Sequence, residues 1–380
     1  MDKAFLYRLY PSKLQDESLA HLLDIARAFY NAGLQERRDA WKYGISINYY
    51  DQANQLKEIR NTTTEYALLN YSATQDVLRR LDKTFKSFFR RVKAGGKVGY
   101  PRFKGRDRFN SIIFPAYGDG IKLRDNRLYV QNVGLVKIKM HRSFEGGINT
   151  VTIKRDCDKW YAVFSNTVEV KPLPASDKQV GIDVGLESFA VTSDGEVIDN
   201  LRYFREAQAG LRKAQRKVSR RKKGSHNRHK AVALLAKHHL KVKNQRKDFA
   251  HKVARNIVNT YGFIAVEDLQ IKNIVRNHCL ARSISDAAWG QFLGITAYKA
   301  ENAGRQFVRV NPYGTSQMCF NCGADVPKSL SIRIHCCSYC GAVLPRDFNA
   351  ALNILALGRR AWGITCDVGQ SVPQEAVCFS

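Results

Sequence analysis

The sequence predicts a multidomain protein of mixed α+β and α/β class, and three observations lead to this prediction. Short apolar runs separated by turn residues fill residues 111–170, which is typical of a small β-barrel or sandwich. Two apolar runs that each carry an acid, 180–184 and 262–269, alternate with helical segments, as in an α/β domain. Two cysteine pairs then follow at the spacing of a zinc ribbon.

Changes in pattern divide the chain into four parts. We expect residues 1–11 and 106–176 to form one β domain, because both contain strand-like runs, and residues 12–105 to be a helical insertion into it. A Pro-Leu-Pro sequence at 172–174 marks the boundary before the α/β domain, residues 177–380. Within that last domain we expect a basic helical region at 202–258, a ribbon at 315–345 and a tail with little pattern at 359–380.

Capping residues place the starts of two helices in the inserted segment. Ser12 and Gln15 form a capping box for the first helix, and Ser72 with Gln75 has the same spacing for the second. The second helix is apolar on one side and basic on the other, and a purely solvated face would normally mix charges, so we expect phosphate contacts. The candidate contacts are Arg79, Arg80 and Lys83 on this helix, and Lys97, Arg102 and Lys104 in the basic, aromatic segment after it.

The charge of the chain predicts a nucleic-acid partner. A net charge of +28 costs stability through self-repulsion unless a polyanion relieves it. Residues 202–255 contain only two acids, and their candidate phosphate contacts are Arg220, Arg221, Lys222 and Lys223. The chain has no run of about 18 apolar residues and no signal-peptide pattern at its start, so we expect an intracellular protein without a membrane partner.

Three acids form the candidate catalytic site. Asp183 lies on the strand 180–184, and side-chain alternation places Gly181 and Gly185 on its face, where we expect them to leave room for a metal ion and a phosphodiester. Glu267 ends the second acid-bearing strand. Its neighbour Asp268 must point to the opposite face.

Asp347 is the third acid and begins a helix, a position that favours a negative charge. Three carboxylates without a candidate nucleophile are the pattern of two-metal catalysis, in which two Mg²⁺ ions about 3.5–4 Å apart activate a water and stabilise the leaving oxygen. Arg346, beside the third acid, is a further candidate nucleic-acid contact.

Four cysteines predict one structural zinc ion. Cys319 and Cys322 form one C-x₂-C knuckle and Cys337 and Cys340 form another, each with glycine after its second cysteine. Cys336 offers a rival register, although its spacing does not match the first knuckle. Four thiolates leave no open position for chemistry. The remaining cysteines, expected to be free thiols, are Cys157, Cys279, Cys366 and Cys378.

Together these motifs resemble the TnpB family of transposon-encoded RNA-guided DNA endonucleases, which is related to type V CRISPR effectors. The motifs that carry the resemblance are Tyr7-Arg-Leu-Tyr-Pro11, Gly99-Tyr-Pro-Arg-Phe103, Gly181-Ile-Asp-Val-Gly185, Val266-Glu-Asp-Leu269, Ser283-Ile-Ser-Asp286, the four-cysteine ribbon and Arg346-Asp-Phe-Asn-Ala-Ala351. The resemblance implies a wedge β-barrel domain interrupted by a helical recognition domain, then a RuvC-like, RNase H-like nuclease domain. It assigns Asp183, Glu267 and Asp347 to the RuvC-like triad.

The resemblance also implies the partners. They are a guide RNA copied from the transposon end, expected to bind one protein chain per RNA, and a double-stranded target DNA with a short motif beside it. Tyr50, Tyr71 and Gln75 match the region that the family uses to read this motif. The expected location is the cytoplasm of a bacterium or archaeon, at the nucleoid.

Three alternatives remain open at this point. A strand-transfer transposase also uses an RNase H-like fold and three acids, but its usual acid order is Asp-Asp-Glu, whereas Glu is the middle one here. A nuclease-dead RNA-guided DNA binder would be marked by loss of one acid, and all three are present. A compact CRISPR effector differs only in the neighbouring RNA genes.

Overall fold

The computed structural model describes residues 2–96, 98–170, 172–274, 276, 281–329 and 331–363, apart from the side chains of Asp107 and Lys272. It consists of two compact units, Met1–Glu169 and Val170–Ser380. Lys97, three of the cysteines expected to be free (Cys279, Cys366 and Cys378), and the tail beyond residue 363 lie outside the described residues.

The first unit combines a β-sheet with five helices and a short 3₁₀ turn at Arg106–Arg108. Its strands are β1 (Asp2–Tyr10), β2 (Ser111–Phe114), β3 (Ile121–Arg124), β4 (Arg127–Val130), β5 (Gly134–Lys139), β6 (Gly147–Asp156) and β7 (Lys159–Thr167). Its helices are α1 (Lys13–Lys42), α2 (Tyr49–Asn54), α3 (Leu56–Thr62), α4 (Thr64–Ala67) and α5 (Tyr71–Lys93).

All seven strands form one antiparallel sheet in the order β2-β6-β7-β1-β5-β4-β3. β1 is its central strand and pairs with β7 on one side and β5 on the other. Its residues Phe5, Tyr7 and Leu9 alternate into the core, and the residues between them are more exposed. The five helices are therefore inserted in sequence between the sheet's first strand and its second. Strands β2 and β3 end the order, and no ladder pairs them with one another among the described residues.

The two long helices of this unit pack on each other through small and apolar residues. Gly33 of α1 leaves little room for a side chain, since a Cβ there would lie 3.1 Å from a Leu81 methyl group of α5. A buried ion pair between Arg37 and Asp82, 3.3 Å apart, joins the same two helices. The capping box of Ser12 and Gln15 forms as predicted, but α5 is capped by Asn70, whose side chain accepts from the Ala73 N–H, and not by Ser72.

The second unit is a layered α/β structure. Its strands are β8 (Gln179–Val184), β9 (Ser188–Thr192), β10 (Val197–Asp199), β11 (Phe263–Glu267), β12 (Gln306–Val310), β13 (Ile334–Cys336) and β14 (Val343–Pro345). Its helices are α6 (Tyr203–Ser219), α7 (His226–Thr260), α8 (Ile271–Ile274), α9 (Ala281–Ala287), α10 (Trp289–Asn302) and α11 (Arg346–Ala361).

Five of these strands form a mixed sheet in the order β10-β9-β8-β11-β12, in which β8, β11 and β12 are parallel. One face packs on α7 and α10 through residues such as Ile182, Val266 and Phe292. The other face packs on α11 through Ala265 and Ile354. The basic region forms the hairpin of α6 and α7, and the first residues of the expected tail, 359–361, belong to α11.

Candidate active site and metal centre

Two of the predicted acids lie at the carboxyl ends of neighbouring parallel strands. Ile182 of β8 pairs with Val266 of β11, so Asp183 and Glu267 each follow a paired residue and emerge on the same face of the sheet. In open α/β sheets, this edge is where reactive groups collect. The alternation of the strands thus brings together two acids that are 84 positions apart in sequence.

Asp347 reaches the same place from the helix that covers this face. It is the second residue of α11, and one of its carboxylate oxygens lies 3.9 Å from where a Cβ on Gly185 would be. Gly181 has a different role from the one expected of it. A Cβ there would lie 2.1 Å from the Ala351 carbonyl oxygen and 2.6 Å from the Leu355 nitrogen. Gly181 therefore lets α11 lie directly on β8, and of the two glycines only Gly185 faces the acids.

The electrostatics of Asp183 show that the three acids share one environment. Burial raises its pKa well above the ordinary value, and the charges of Glu267 and Asp347 raise it further, whereas Arg346 acts in the opposite direction. Burial also raises the pKa of Glu267, opposed by a hydrogen bond from the Thr315 hydroxyl. Buried like charges of this kind are stabilised by a bound cation.

Asp268 is separated from this cluster, in agreement with the strand alternation. It is exposed and forms an ion pair of 3.2 Å with Arg309. Glu267, by contrast, is partly buried and accepts a hydrogen bond of 2.5 Å from Thr315. Only the first of these adjacent acids can serve the site.

Arg346 is the basic residue closest to the acids. Its Nε and Nη2 donate to Asp347 Oδ1 at 3.0 and 2.9 Å, and its Nη1 donates to the Ile332 carbonyl at 3.2 Å. The side chain is 13% exposed. Arg333 lies farther out, 4.0 Å from Asp347 Oδ2 and half exposed. The sequence marks Arg346 as a candidate nucleic-acid contact, whereas in the structure its guanidinium is engaged by the third acid.

The four predicted cysteines converge as a metal site. Their Sγ atoms all lie within 4.8 Å of one another, with Cys319 and Cys340 3.7 Å apart and Cys322 and Cys337 3.6 Å apart. Tetrahedral Zn–S bonds of about 2.3 Å require sulfur separations of about 3.8 Å, so the set fits zinc. Hydrogen bonds from the Ala342 N–H, the Asn321 side chain and neighbouring thiols lower the pKa of the Cys340 thiol to about 6, which favours a thiolate there. The pKa values of Cys319 and Cys322 are raised, because without a cation the four sulfurs do not all ionise together.

The two knuckles share one backbone design. Gly323 N–H donates to the Cys319 carbonyl at 2.8 Å, and Gly341 N–H donates to the Cys337 carbonyl at 3.0 Å. Both glycines have φ of +74°, which explains why glycine follows each second cysteine. Cys336 is exposed in β13, opposite Val343, and is not part of the cluster.

Two polar residues of this region carry no signal that the sequence analysis used. Asn349 and Asn353 are buried on one side of α11, and both side chains donate to the Met318 carbonyl, at 2.8 and 2.7 Å. Asn349 also accepts from the Phe320 N–H at 3.0 Å, so its side chain is hydrogen-bonded to the backbone on both sides of Cys319. Their spacing of four residues on a helix is the feature that could have revealed a shared face.

The predicted nucleic-acid contacts of the first unit differ in accessibility. Tyr50 is 73% exposed, and Arg79, Lys83 and Arg102 are also exposed. Tyr71, also exposed, begins α5 beneath the Arg60 guanidinium, 5.5 Å from its ring centre. Gln75 is partly buried.

Arg80 and Lys104 are held by the protein itself. Arg80 donates to the Ser111 carbonyl at 2.8 Å and stacks over Phe109, and burial lowers its pKa. The Lys104 backbone exchanges two hydrogen bonds with the Asn31 side chain, at 3.0 and 2.8 Å. Arg80 is therefore a packing residue and not a free phosphate contact. Its polar partner, Ser111, lies 31 residues away in sequence, so a local pattern could not reveal this contact.

The basic residues of the second unit form two groups. The predicted contacts Arg220, Arg221, Lys222 and Lys223 are all exposed in the turn between α6 and α7. A second group, missed by the sequence analysis, lines a cavity of about 550 Å³ next to Leu186, which follows Asp183 by three residues. Its basic side chains are Arg202, Arg205, Arg212 and Arg282.

The first three arginines of that cavity, with Gln208, recur every three or four residues along the start of α6, which places them on one side of the helix. When its side-chain amide is oriented so that the oxygen faces both guanidinium groups, Gln208 accepts from Arg212 at 2.8 Å and from Arg282 at 3.2 Å. Asp286 also lines the cavity, so four positive side chains and one negative side chain surround it. Among the described helices, none has the length and apolar character needed to cross a membrane.

Comparison with known proteins identifies the family. A Streptomyces pristinaespiralis protein named "Putative RNA-guided DNA endonuclease" is 34% identical over 94% of this chain and 90% of its own length. An Escherichia coli K12 protein, "Putative RNA-guided DNA endonuclease InsQ", is 30% identical over 98% of this chain and 97% of its own. The chain belongs to the OrfB/TnpB family. This confirms the resemblance found in the sequence.

Family models match three segments of this OrfB/TnpB protein. They are described as "Probable transposase" at residues 162–278, "Cas12f1-like, TNB domain" at 289–354 and "Helix-turn-helix domain" at 1–46. The last segment contains β1 and the single long helix α1. A solved structure titled "Structure of the mini-RNA-guided endonuclease CRISPR-Cas_phi3" covers 94% of this chain and 92% of its own at 9% identity and a TM-score of 0.49. The assignment rests on the two sequence relatives.

Proposed function

We propose that this protein is an RNA-guided DNA endonuclease encoded by a transposon, and that it hydrolyses phosphodiester bonds of double-stranded DNA beside a short motif. The observation that carries the proposal is the convergence of Asp183, Glu267 and Asp347 from β8, β11 and α11. Near full-length relatives with RNA-guided DNA endonuclease in their names support the same conclusion.

The three carboxylates would hold two Mg²⁺ ions as a RuvC-like triad. Carboxylate oxygens are the ligands that Mg²⁺ prefers. The pKa of Asp183 is raised by burial and further by the charges of Glu267 and Asp347, and a bound cation would offset both effects. Bound Mg²⁺ would supply an activated water and charge stabilisation for the leaving oxygen. Arg346 orients the Asp347 carboxylate through two hydrogen bonds, and the Thr315 hydroxyl donates to that of Glu267.

The cysteine cluster would hold one structural zinc ion. All four positions of a tetrahedral site are filled by thiols, so it offers no place for a substrate or water. Its proposed role is to order the ribbon between β12 and α11.

The guide RNA, copied from the transposon end, is the proposed constitutive partner, with one protein chain per RNA. The supporting observations are the +28 charge, the exposed cations between α6 and α7, and the arginine-lined cavity beside the acids. Backbone contacts of this kind hold an A-form duplex without reading its sequence. The protein would act in the cytoplasm, at the nucleoid, where its DNA target lies.

The proposed domains follow the sequence analysis. Residues 1–11 and 106–176 would form the wedge domain, a barrel built on the seven-stranded sheet, and 12–105 the recognition domain. Residues 172–176, however, belong to the second compact unit, where the Ser176 hydroxyl donates to the Thr260 carbonyl at 2.8 Å. Residues 177–380 would form the RuvC-like nuclease domain. Tyr50, Tyr71 and Gln75 are the proposed readers of the DNA motif, and the exposure of the two tyrosines is compatible with this role.

Reprogramming the guide tests the proposal. The protein is expressed with its flanking transposon sequence, and the co-purifying RNA is sequenced. Replacing about 16–20 nucleotides of guide should move the cut to the matching DNA, because base pairing supplies specificity in such systems. If protein stripped of RNA cuts a defined site with undiminished preference, the strand-transfer transposase is the better interpretation. A compact CRISPR effector would differ only in carrying a guide from a CRISPR array.

A further inference from the structure

A buried threonine contacts the middle acid of the site. Thr315 is 3% exposed and lies between β12 and the first zinc knuckle. Its hydroxyl is 2.5 Å from Glu267 Oε1 and 3.1 Å from the Pro312 carbonyl. A hydroxyl has one proton, and the shorter contact to a carboxylate is the stronger one. The hydroxyl therefore donates to Glu267.

The backbone of Thr315 is fixed by the helix that carries the third acid. The Asn353 side chain donates to the Thr315 carbonyl at 2.8 Å and to the Met318 carbonyl at 2.7 Å. Asn353 is itself 3% exposed and lies six residues after Asp347 in α11. One continuous set of hydrogen bonds thus runs from α11 through Thr315 to the Glu267 carboxylate on β11.

This arrangement matters because a carboxylate can rotate and can present either oxygen to a cation. A hydrogen bond on Oε1 restricts that rotation and leaves Oε2 available as a ligand. Residues that orient metal ligands in this way typically contribute 10–100-fold to metal affinity or activity.

We propose that Thr315 is a positioning residue that orients the Glu267 carboxylate for binding a divalent cation, and that Asn353 holds Thr315 in register with Asp347. The proposal deepens the nuclease function and rests on it for the identity of the cation site. It makes Thr315 part of the site although its hydroxyl is expected to touch neither DNA nor metal.

The test compares side chains that differ in the hydroxyl group. Thr315→Val keeps the shape and loses the donor, Thr315→Ala loses both, and Thr315→Ser keeps the donor. Each protein–RNA complex is titrated with Mn²⁺ and followed by electron paramagnetic resonance, and the Mn²⁺ bound by the Asp183→Asn complex is subtracted as background. The second readout is the Mg²⁺ concentration that gives half-maximal cleavage. Thermal melting establishes that each variant is folded.

The expected result is that Val and Ala weaken Mn²⁺ binding by about 10–100-fold while Ser stays within about 3-fold of wild type. Wild-type Mn²⁺ affinity in folded Thr315→Val would overturn the proposal, as would an equal loss in all three variants, which would indicate packing alone. If Thr315→Val does not fold, Thr315→Cys, a weak donor, replaces it. A wild-type complex that fails to cut guide-matched DNA would count against the nuclease function, whereas the Mn²⁺ comparison would still decide the role of Thr315.

Discussion

Arg346 Nε and Nη2 both donate to Oδ1 of the adjacent Asp347, so the guanidinium holds the orientation of the third carboxylate through protein contacts alone. We predict that Arg346→Gln reduces the cleavage rate by about 10-fold or more, because the carboxylate loses its orienting partner. DNA binding by the protein–RNA complex should change less than about 3-fold, as expected for a residue that is 13% exposed. Single-turnover cleavage and a binding titration measure the two effects.

Arg333→Gln is the matched control for this prediction. Arg333 is half exposed, lies 4.0 Å from Asp347 and is also paired with Glu187 at 3.0 Å. Its loss should affect cleavage much less. A larger effect on DNA affinity than on cleavage in Arg346→Gln would instead support a nucleic-acid contact.

Asp183→Asn should abolish cleavage and leave RNA binding intact, because one metal ligand is lost while the basic surfaces are unchanged. The same variant should be more heat-stable than wild type in metal-free buffer. The folded-state pKa of Asp183 is raised, so ionisation destabilises the fold and this cost grows as pH rises above the unfolded value.

Melting curves in chelator at acidic and neutral pH measure this difference. The stabilisation by Asp183→Asn should be small at acidic pH, where the wild-type carboxyl is also neutral, and larger at pH 7–8. Equal melting temperatures across this range would show that ionisation of Asp183 does not destabilise the fold.

Glu267→Gln and Asp268→Asn form a test of the strand faces. Glu267 lies beside Asp183, whereas Asp268 is exposed and forms an ion pair with Arg309. Surface ion pairs contribute only about 0–1 kcal/mol to the stability of the fold. Cleavage should be lost in the first variant and remain within about 2-fold of wild type in the second. Both variants should bind guide RNA normally, and the reverse ranking would show that the strand presents the other face.

The zinc site can be tested by a similar pair of neighbours. Cys337→Ser should lose the metal and make the ribbon protease-sensitive, because structural zinc sites are stabilised by their ligands. Cys336→Ser should keep one zinc per chain, since Cys336 is exposed and outside the cluster. Metal analysis of protein purified without chelator measures both, and full zinc content in Cys337→Ser would shift the register by one residue.

Local patterns in the sequence predict a large part of this structure. The choice of Glu267 over Asp268 follows from the two-residue period of a strand, and the cysteine cluster follows from C-x₂-C spacing. Both are short-range rules, so a single sequence suffices for them. The capping box at Ser12 belongs to the same class.

Features that depend on distant segments could not be predicted in this way. Arg80 has the pattern of an exposed basic face, but Phe109 and Ser111 cover it from a strand-rich segment some 30 residues later. Gly181 has the sequence pattern of an open site, yet it packs directly against α11, which follows about 170 residues later in the chain. Asn353 donates to the Thr315 and Met318 carbonyls, which precede it by more than 30 residues in sequence, so no local pattern predicts these contacts.

The ribbon is inserted between β12 and α11, and α11 holds its first knuckle at two backbone groups. Asn349 accepts from the Phe320 N–H, and Asn349 and Asn353 both donate to the Met318 carbonyl. The other end of the ribbon is also held by this helix, because the Arg346 N–H donates to the Arg333 carbonyl at 2.7 Å and the Arg346 Nη1 donates to the Ile332 carbonyl at 3.2 Å. For anyone wishing to shorten this protein, a graft in place of the ribbon would thus have to return backbone groups to both ends, beside Cys319 and at residues 332 and 333.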